Sequence, residues 1–209
     1  MSEQVWICMP QTNTQLTRGF WSGFRSDDPP NHYFKNQGKI LEKMLNGQLL
    51  KKDELPSEFY HYEKRKFRET LPQVFHSGYI FVNKKAADVL RQFDMGQGGP
   101  NGITLFEHDK VTKVSTDISL LNYGNAKDTV ILDKSKQLEP LGSVEGVYHP
   151  DLPRPDDEDI VVRRNSLDGP DLWVDPRVWY CFFVSDKLAR ALIKEKLKNA
   201  FRMRRCRVV

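Results

Sequence analysis

Two stretches of the sequence share one pattern: "YIFVNKKAADVL" at residues 79–90 and "CFFVSDKLARAL" at residues 181–192. In each stretch an apolar run ends at Asn83 or Ser185, residue types that cap a helix by accepting a backbone N–H. Apolar residues at helical spacing follow, and then comes "GITLFEH" or "FRMRRCRVV", each typical of a strand. We therefore expect two equivalent strand–helix–strand units from a duplicated element. The alternative is a chance match, because a strand followed by a capped helix is common.

The rest of the chain indicates an α+β fold, in which a mixed sheet carries the two similar units. A length of 209 residues suits a single domain, residues 1–209, with a sizeable core. Further strands are expected at "QVWICMP", "DISLLNY", "TVILD", "IVVRR" and "DLWVD", and helices at "GKILEKMLNG" and "SEFYHYEKRKFRE".

The last stretch of the chain predicts a break in register. Phe201 and Met203 share one parity, Cys206 and Val208 share the other, and all four are apolar. One extra residue in a strand resets its period of two. A bulge near Arg204–Arg205 would therefore place all four on the buried face.

Composition indicates a soluble protein that works in the cytoplasm. Apolar residues make up 39% and charged residues 29%, and no apolar run reaches the length of a membrane span. The opening "MSEQVWICMP" has no basic region followed by an apolar core, so no secretory signal is expected. Three cysteines are an odd number and lie in or beside apolar runs, which favours buried free thiols: Cys8, Cys181 and Cys206.

Positive charge is concentrated at the C-terminal end. Residues 186–209 carry nine Lys or Arg against two acids, a net charge of +7, which leaves −3 for the rest of a chain whose total is +4. Such asymmetry can indicate a nucleic-acid partner. Helical spacing nevertheless puts Lys187, Arg190, Lys194 and Lys198 in one stripe opposite an apolar face, as in an ordinary surface helix. A nucleic-acid-binding regulator that uses this basic segment is the alternative function.

The sequence contains no recognisable catalytic, cofactor or metal motif. The stretch "GQGGPNG" lacks the third glycine of a dinucleotide fingerprint, and it follows an expected helix instead of a strand. None of the five histidines has a second His or a Cys at metal-ligand spacing. We expect no catalytic, cofactor or metal residues, although an enzyme whose site is visible only in its geometry stays open.

Two segments are candidates for contact with a partner protein. One is an acidic cluster in the proline-rich loop at residues 149–159, which is either a solvated loop or an electrostatic match for a basic partner surface. The other is an aromatic, glycine-bearing segment near the N-terminus. Their candidate partner-binding residues are Asp156, Asp157, Glu158, Asp159, Phe20, Trp21 and Phe24.

The C-terminal two-thirds of the chain carries a set of motifs that occur together in one family. They include "FVNKKAADVLRQFDMG" and "LLNYGNAKDTVILDKS", followed by a C-terminal signature of Trp173, Val174, Phe183, Ser185, Asp186, Leu188, Ala191 and Leu192. With these motifs, roughly residues 70–209 resemble immunity protein family 11 of bacterial polymorphic toxin systems, which include contact-dependent and type VI secretion systems. Residues 1–70 match no pattern of the family.

This resemblance implies an antitoxin that is not an enzyme. Members of the family bind the catalytic domain of a cognate toxin and protect the producing cell, without a cofactor and without a membrane partner. The surfaces of immunity proteins diversify together with their toxins, so the resemblance transfers no interface to this chain. Most signature residues are also those expected to build the fold.

Overall fold

A computed structural model describes residues 4–22, 30–51, 53–152 and 154–209, and of residues 30–36 it describes the backbone alone. Among the described residues no helix is both long and apolar enough to cross a membrane. The described helices are α1 (Pro30–Leu45), α2 (Lys84–Leu90), α3 (Asp186–Lys194) and α4 (Lys198–Phe201). The strands are β1 (Val5–Cys8), β2 (Phe20–Ser22), β3 (Glu58–His61), β4 (Val74–Ser77), β5 (Tyr79–Asn83), β6 (Gly99–Phe106), β7 (Lys113–Asn122), β8 (Leu138–Pro140), β9 (Tyr148–Pro150), β10 (Val161–Val162), β11 (Leu172–Trp173), β12 (Phe182–Ser185), β13 (Met203–Arg205) and β14 (Arg207–Val208).

The strands form two main sheets, and the α+β fold class is confirmed. The larger sheet has the order β2-β3-β6-β7-β5-β4, and the smaller has the order β11-β12-β1-β13. Within the larger sheet β3 runs parallel to β6 while the other pairs are antiparallel, so the sheet is mixed. Two short pairs, β8 with β9 and β10 with β14, lie outside these sheets.

The smaller sheet repeats the topology of one part of the larger sheet. In the order β4-β5-β7-β6 of the larger sheet, β5 and β6 are joined by helical chain and flank β7, which is antiparallel to both. In the order β11-β12-β1-β13 of the smaller sheet, β12 and β13 are joined by helical chain and flank β1, which is antiparallel to both. In the first unit the central strand β7 follows β6 along the chain. In the second unit the central strand is β1, from the N-terminal end of the chain. The two units are therefore topologically equivalent, with one strand taken from a different place in the chain.

Cross-strand aromatic pairs occupy the same place in both units. Phe81 lies opposite Phe75 of β4, and Phe183 lies opposite Trp173 of β11. The rings of the first pair are stacked with centroids 4.9 Å apart, and those of the second are stacked with centroids 6.0 Å apart. Such pairs stabilise a sheet beyond their buried area, so each unit uses the same device to fix its register.

Both helices begin where the sequence predicts. The side chain of Asn83 accepts a hydrogen bond from the N–H of Ala86 at 3.0 Å, and α2 begins at the next residue. The hydroxyl of Ser185 accepts from the N–H of Leu188 at 3.3 Å, and α3 begins at the next residue. Each cap satisfies a donor that the first helical turn leaves open.

Strand β1 buries apolar side chains on both of its faces. Trp6 and Cys8 face the main core, which also contains the buried side chains of α2 and α3. Val5 and Ile7 face a second core under the loops that contain Val130 and Ile160. A strand that is buried on both sides reads as a continuous apolar run, which is what "VWIC" is.

The larger sheet curls until one segment of chain bridges its two ends. At one end Phe20 of β2 pairs with His61 of β3. A few residues earlier Thr17 forms a parallel bridge with His76 of the other edge strand, β4. The N–H of Arg18 donates to the carbonyl oxygen of His76 at 2.9 Å. Residues 17–22 therefore connect the two edge strands, and Thr17 and Arg18 pair with backbone of β4 that would otherwise be open to another chain.

Two of the predicted elements are wrong. The stretch "SEFYHYEKRKFRE" contains strand β3 (Glu58–His61) and then irregular chain in place of a helix. Phe59 and His61 are buried and alternate with outward-facing neighbours, which is a strand pattern with a period of two. "TVILD" is a single bridge at Val130 followed by a 3-10 turn at Leu132–Lys134.

Three predicted boundaries differ from those observed. Helix α1 begins at Pro30, because proline is well suited to the first turn of a helix, where its missing N–H is not needed. Strand β6 begins at Gly99, within the stretch "GQGGPNG" that was expected to be a loop. Phe201 ends α4 and does not begin the last strand, and Arg202 after it has φ 52°.

The predicted break in the last strand lies one residue later than expected. Strand β13 pairs with β1 up to Arg205, and β14 pairs in parallel with β10 from Arg207 onward. Cys206 lies between them, buried, and its N–H donates to the carbonyl oxygen of Val5 at 2.8 Å. At Cys206 the chain stops pairing with β1 and begins to pair with β10. This change of partner resets the alternation of buried and outward-facing side chains, and there is no bulge near Arg204–Arg205.

The cysteines are buried and free, as the sequence predicts. None of the three, Cys8, Cys181 and Cys206, takes part in a disulfide. Burial raises the pKa of each thiol above its ordinary value, because the charged thiolate is poorly solvated in an apolar core. These cysteines therefore act as small apolar core residues.

Candidate functional site

The acidic loop is fastened to the C-terminal strand of the same chain. The carboxylate of Asp157 accepts hydrogen bonds from the backbone N–H of Arg205 at 2.8 Å and from its Nε at 3.2 Å. Arg204 Nε lies 3.5 Å from Asp156 Oδ1, and the N–H of Glu158 donates to the carbonyl oxygen of Arg205 at 2.8 Å. Partial burial raises the pKa of Asp157, but the bonds from Arg205 outweigh it and hold that pKa below its ordinary value.

These contacts connect the two charged features of the sequence. The acidic cluster of the loop offsets part of the positive charge at the C-terminal end, so neither is a fully free surface. Asp159 turns inward, and one of its carboxylate oxygens accepts from the N–H of Asp156 at 2.9 Å. The primary role that the geometry gives to this loop is to hold strands β13 and β14 in place.

Cations of helix α3 are also partly paired within the chain. Arg190 Nε lies 2.8 Å from the carboxylate of Asp186, one turn earlier on the same helix. Lys187 Nζ lies 3.0 Å from the carboxylate of Asp171, which is buried. The basic stripe predicted from the sequence is therefore less positive than its residue count suggests.

The aromatic segment near the N-terminus divides between core and surface. Phe20 is 1% exposed and belongs to the core, so it cannot serve as a surface anchor. Trp21 is 36% exposed, and its ring stacks on that of Tyr62 with centroids 5.9 Å apart and an interplanar angle of 27°. Tyr62 is itself 44% exposed. Phe24 lies outside the described residues.

Glycine at position 19 allows this aromatic pair to form. A Cβ atom added at Gly19 would lie 1.6 Å from an atom of the Tyr62 ring, so any side chain there would displace the ring. The N–H of Tyr62 donates to the carbonyl oxygen of Gly19 at 2.9 Å, which holds the two backbones together. The position of Tyr62 is therefore fixed by both packing and a hydrogen bond.

A cation-rich segment, "EKRKFRE" at residues 63–69, continues directly from Tyr62. Its exposed cations are Lys64, Arg65, Lys66 and Arg68. Arg65 forms an ion pair with Glu63. Within the ranges that the structure describes, Lys64, Lys66 and Arg68 form no ion pair. We call these four cations, together with Trp21 and Tyr62, the aromatic–cationic surface.

Inward contacts hold this segment in one conformation. The backbone N–H of Phe67 donates to the carboxylate of Glu107 at 2.9 Å, and Glu107 is buried. The ring of Phe67 packs against that of Phe20, with centroids 5.3 Å apart. Glu69 forms an ion pair with Arg18 at 3.1 Å. Because Phe67 faces inward, the segment presents its lysines and arginines to solvent.

Sequence reasoning identified only part of this surface. The sequence indicates Trp21 as a candidate, but it does not indicate the cations, because their segment is expected to be a helix. The observable signal was the change from the alternating "EFYH" to four cations within five residues, which places the cations in a loop beside the end of a strand.

The rest of the described chain contains grooves but no cluster of metal ligands. In those residues no group of three or more His, Cys, Asp or Glu is arranged to hold a metal ion. A groove of about 650 Å³ lies between α2 and α3, where Lys85 reaches the carboxylate of Glu195 at 3.1 Å. A second groove of about 610 Å³ lies beside α1 and is lined mainly by apolar side chains, including Leu41, Leu45 and Trp179.

Comparison with known proteins adds no relative. No protein-family model matches the chain, and no curated protein matches it.

Proposed function

We propose that this protein is an immunity protein that binds the catalytic domain of one cognate bacterial toxin and neutralises it in the cytoplasm. It acts by stoichiometric binding and catalyses no reaction. The proposal rests on the resemblance of residues 70–209 to immunity protein family 11. The observation that carries it is the aromatic–cationic surface, in which Trp21, Tyr62 and two arginines are of the residue types enriched at protein interfaces.

The location of this surface fits the way in which immunity proteins diversify. Family-signature residues such as Trp173, Phe183 and Leu192 are buried, so their role is to build the fold. Tyr62 and the cations that follow it lie in the portion of the chain that does not resemble the family. A constant scaffold with a variable binding surface is what a family of specific inhibitors requires.

Stacked aromatic rings beside arginine are a favourable base for tight binding. Trp, Tyr and Arg are the residue types that contribute most to protein interfaces, because each buries a large area while keeping a polar group available. A preformed surface also loses little conformational entropy on binding. An inhibitor that leaves little free toxin needs a nanomolar or tighter dissociation constant, about −12 kcal/mol or stronger.

The alternative, a nucleic-acid-binding regulator, has less support. It relies on the basic C-terminal helix and strand, and Arg190, Arg204 and Arg205 there are paired with acids of the chain. Phosphate contacts would have to compete with those internal pairs.

Co-expression tests the proposed function. The chain is produced together with the toxin domain encoded by the adjacent gene, and growth is compared with cells that produce the toxin domain alone. We expect growth to be restored and a complex to elute from a sizing column when a catalytically inactive toxin domain is used. Failure of both would count against immunity, and salt-dependent retention on DNA or RNA would then favour the alternative.

A further inference from the structure

We infer that the aromatic–cationic surface docks on an acidic face of the partner protein, with a partner carboxylate seated in a notch beside His61. This inference deepens the proposed function and rests on it for the identity of the partner. The notch has a volume of about 370 Å³ and is lined by His61, Arg65, Lys66, Phe67, Arg68 and Glu69.

The aromatic–cationic surface carries positive charge that is not paired within the described part of the chain. Lys64, Lys66 and Arg68 are exposed and form no ion pair among the described residues, whereas the nearby acids Glu63 and Glu69 are already paired. An interface that covered these cations without supplying acids would desolvate unpaired charge, which strongly disfavours binding. The occupant of this surface must therefore bring carboxylates or another anionic group.

His61 lines the notch with a polar atom that lacks a partner among the described residues. Its side chain is 7% exposed, and its Nδ1 has no hydrogen-bond partner in the structure. Buried polar atoms are nearly always hydrogen-bonded, and His61 lines the notch, so a group that enters the notch is a candidate for the missing partner. In the tautomer that places the proton on Nδ1, this nitrogen can donate to a carboxylate oxygen, and the cations that line the notch would hold the same carboxylate.

Contacts within the chain hold the backbone of the cation-rich segment in place. Phe67 is bound through its N–H to buried Glu107, and Glu63 accepts from the hydroxyl of Tyr62 while pairing with Arg65. That bond raises the pKa of the Tyr62 phenol above its ordinary value, because the carboxylate of Glu63 favours the protonated hydroxyl. The backbone that carries the cations is thus held in place, which favours recognition of a defined protein surface over that of a flexible polyanion.

The distribution of charge also favours a protein over a nucleic acid. Glu63 and Glu69 bracket the four cations, and Asp109 lies on the neighbouring rim with Lys64 and Lys66. A continuous line of phosphates would pass close to these acids as well as to the cations, whereas a protein surface can place its carboxylates beside the cations alone. Surfaces that bind proteins commonly mix both signs of charge around aromatic anchors.

Charge reversal with a matched control tests the inference on the toxin domain. Lys64→Glu with Lys66→Glu removes two cations of the surface, and Lys134→Glu with Lys136→Glu makes the same change at the same spacing on another exposed segment. At about 50 mM salt we expect the first pair to slow association about tenfold and the second to change it less than about twofold. The difference should shrink at about 300 mM salt. Equal association rates for both pairs would overturn the inference and leave the proposed function standing.

A second measurement tests the surface without any toxin. The indole N–H signal of Trp21 is followed by NMR while an eight-residue peptide of alternating Glu and Tyr, or an eight-residue oligothymidylate, is added. We expect the acidic peptide to shift this signal at lower concentration, and the shift to be lost in the Lys64→Glu, Lys66→Glu variant but kept in its control. No shift with the peptide, or tighter binding of the oligothymidylate, would overturn the inference whatever the result with the toxin domain.

Discussion

The hydroxyl of Ser185 donates a hydrogen bond to the carboxylate of Asp171 across 2.5 Å. The same carboxylate accepts from the N–H of Asp94 at 3.0 Å and pairs with Lys187 at 3.0 Å. Asp94 follows helix α2, whereas Ser185 caps helix α3. One buried carboxylate therefore joins the two repeated units and supports the cap of the second.

Removing this carboxylate should destabilise the fold more than the same change in the other unit. In the first unit the carbonyl oxygen of Gln73 accepts a hydrogen bond from the N–H of Asn83. In the second unit the carbonyl oxygen of Asp171 accepts one from the N–H of Ser185, so Gln73 is the residue of the first unit that corresponds to Asp171. We expect Asp171→Ala to lower the free energy of unfolding by about 3 kcal/mol, because it leaves buried donors without an acceptor. Gln73→Ala should lower it by less than about 1 kcal/mol. Urea unfolding measures both, and equal losses would contradict the role given to Asp171.

Removing the cap of α3 should lower the free energy of unfolding more than removing the cap of α2. Asn83→Ala should lower the free energy of unfolding by about 1 kcal/mol, the usual effect of losing an N-cap. Ser185→Ala should lower it by about 2 kcal/mol, because the change also removes a donor from Asp171. A double-mutant cycle between Ser185 and Asp171 isolates their coupling. Additive losses in that cycle would show that their hydrogen bond contributes nothing.

Reversing the acidic loop should weaken the C-terminal end of the chain and leave partner binding unchanged. With Asp156, Asp157, Glu158 and Asp159 changed to lysine, Arg205 loses its acceptors, and hydrogen exchange of β14 should become faster. The loss of stability should be small, about 1 kcal/mol or less, since the pairs are solvent-exposed. Slower association with the toxin domain at unchanged stability would instead place the loop in the interface.

The contribution of Asp157 also has a defined pH dependence. The pKa of this carboxyl is held below its ordinary value in the folded protein. The folded state therefore binds fewer protons than the unfolded state as the pH falls toward that pKa. Its contribution is present above the ordinary pKa of Asp, about 4, and is lost as the pH falls through the folded value. In Asp157→Asn the acid-induced loss of stability should be smaller than in the wild type.

Buried thiols should make the protein less stable in alkali. Because burial raises the pKa of Cys8, the unfolded thiol ionises first as the pH rises through about 8.5. The folded state then holds more protons than the unfolded state, so the free energy of unfolding falls. Lys127 acts in the opposite direction, since burial lowers its pKa to about 8. The test therefore compares Cys8→Ala with the wild type between about pH 8 and about pH 10, and the variant should lose less stability. If the free energy of unfolding falls equally steeply with pH in both proteins, Cys8 does not cause the loss.

Local sequence patterns predicted the parts of the fold that depend on local interactions. Asn83 and Ser185 were recognisable as caps because a cap and its helix lie within four residues of each other. The apolar runs before them predicted strands for the same reason. The α+β class followed from the irregular order of these elements.

Long-range pairing was not visible in the sequence. The central strand of the second unit is β1, from the other end of the chain, and no local pattern indicates that it pairs with both β12 and β13. The break at Cys206 has the same origin, because it depends on where β10 lies. The aromatic–cationic surface was missed because Trp21 and Tyr62, distant in sequence, meet only through the pairing of β2 with β3.

The central claim is that the chain neutralises a toxin by stoichiometric binding. Calorimetric titration of the purified chain with an inactive form of the toxin domain encoded by the adjacent gene tests it most directly. Stoichiometric neutralisation predicts one chain bound per toxin domain with a dissociation constant of about 1 nM or lower. It also predicts that Trp21→Ala weakens binding by about tenfold or more while unfolding at nearly the same urea concentration as the wild type. A dissociation constant of about 1 µM or weaker, or no measurable heat together with toxicity that the chain does not relieve, would contradict it.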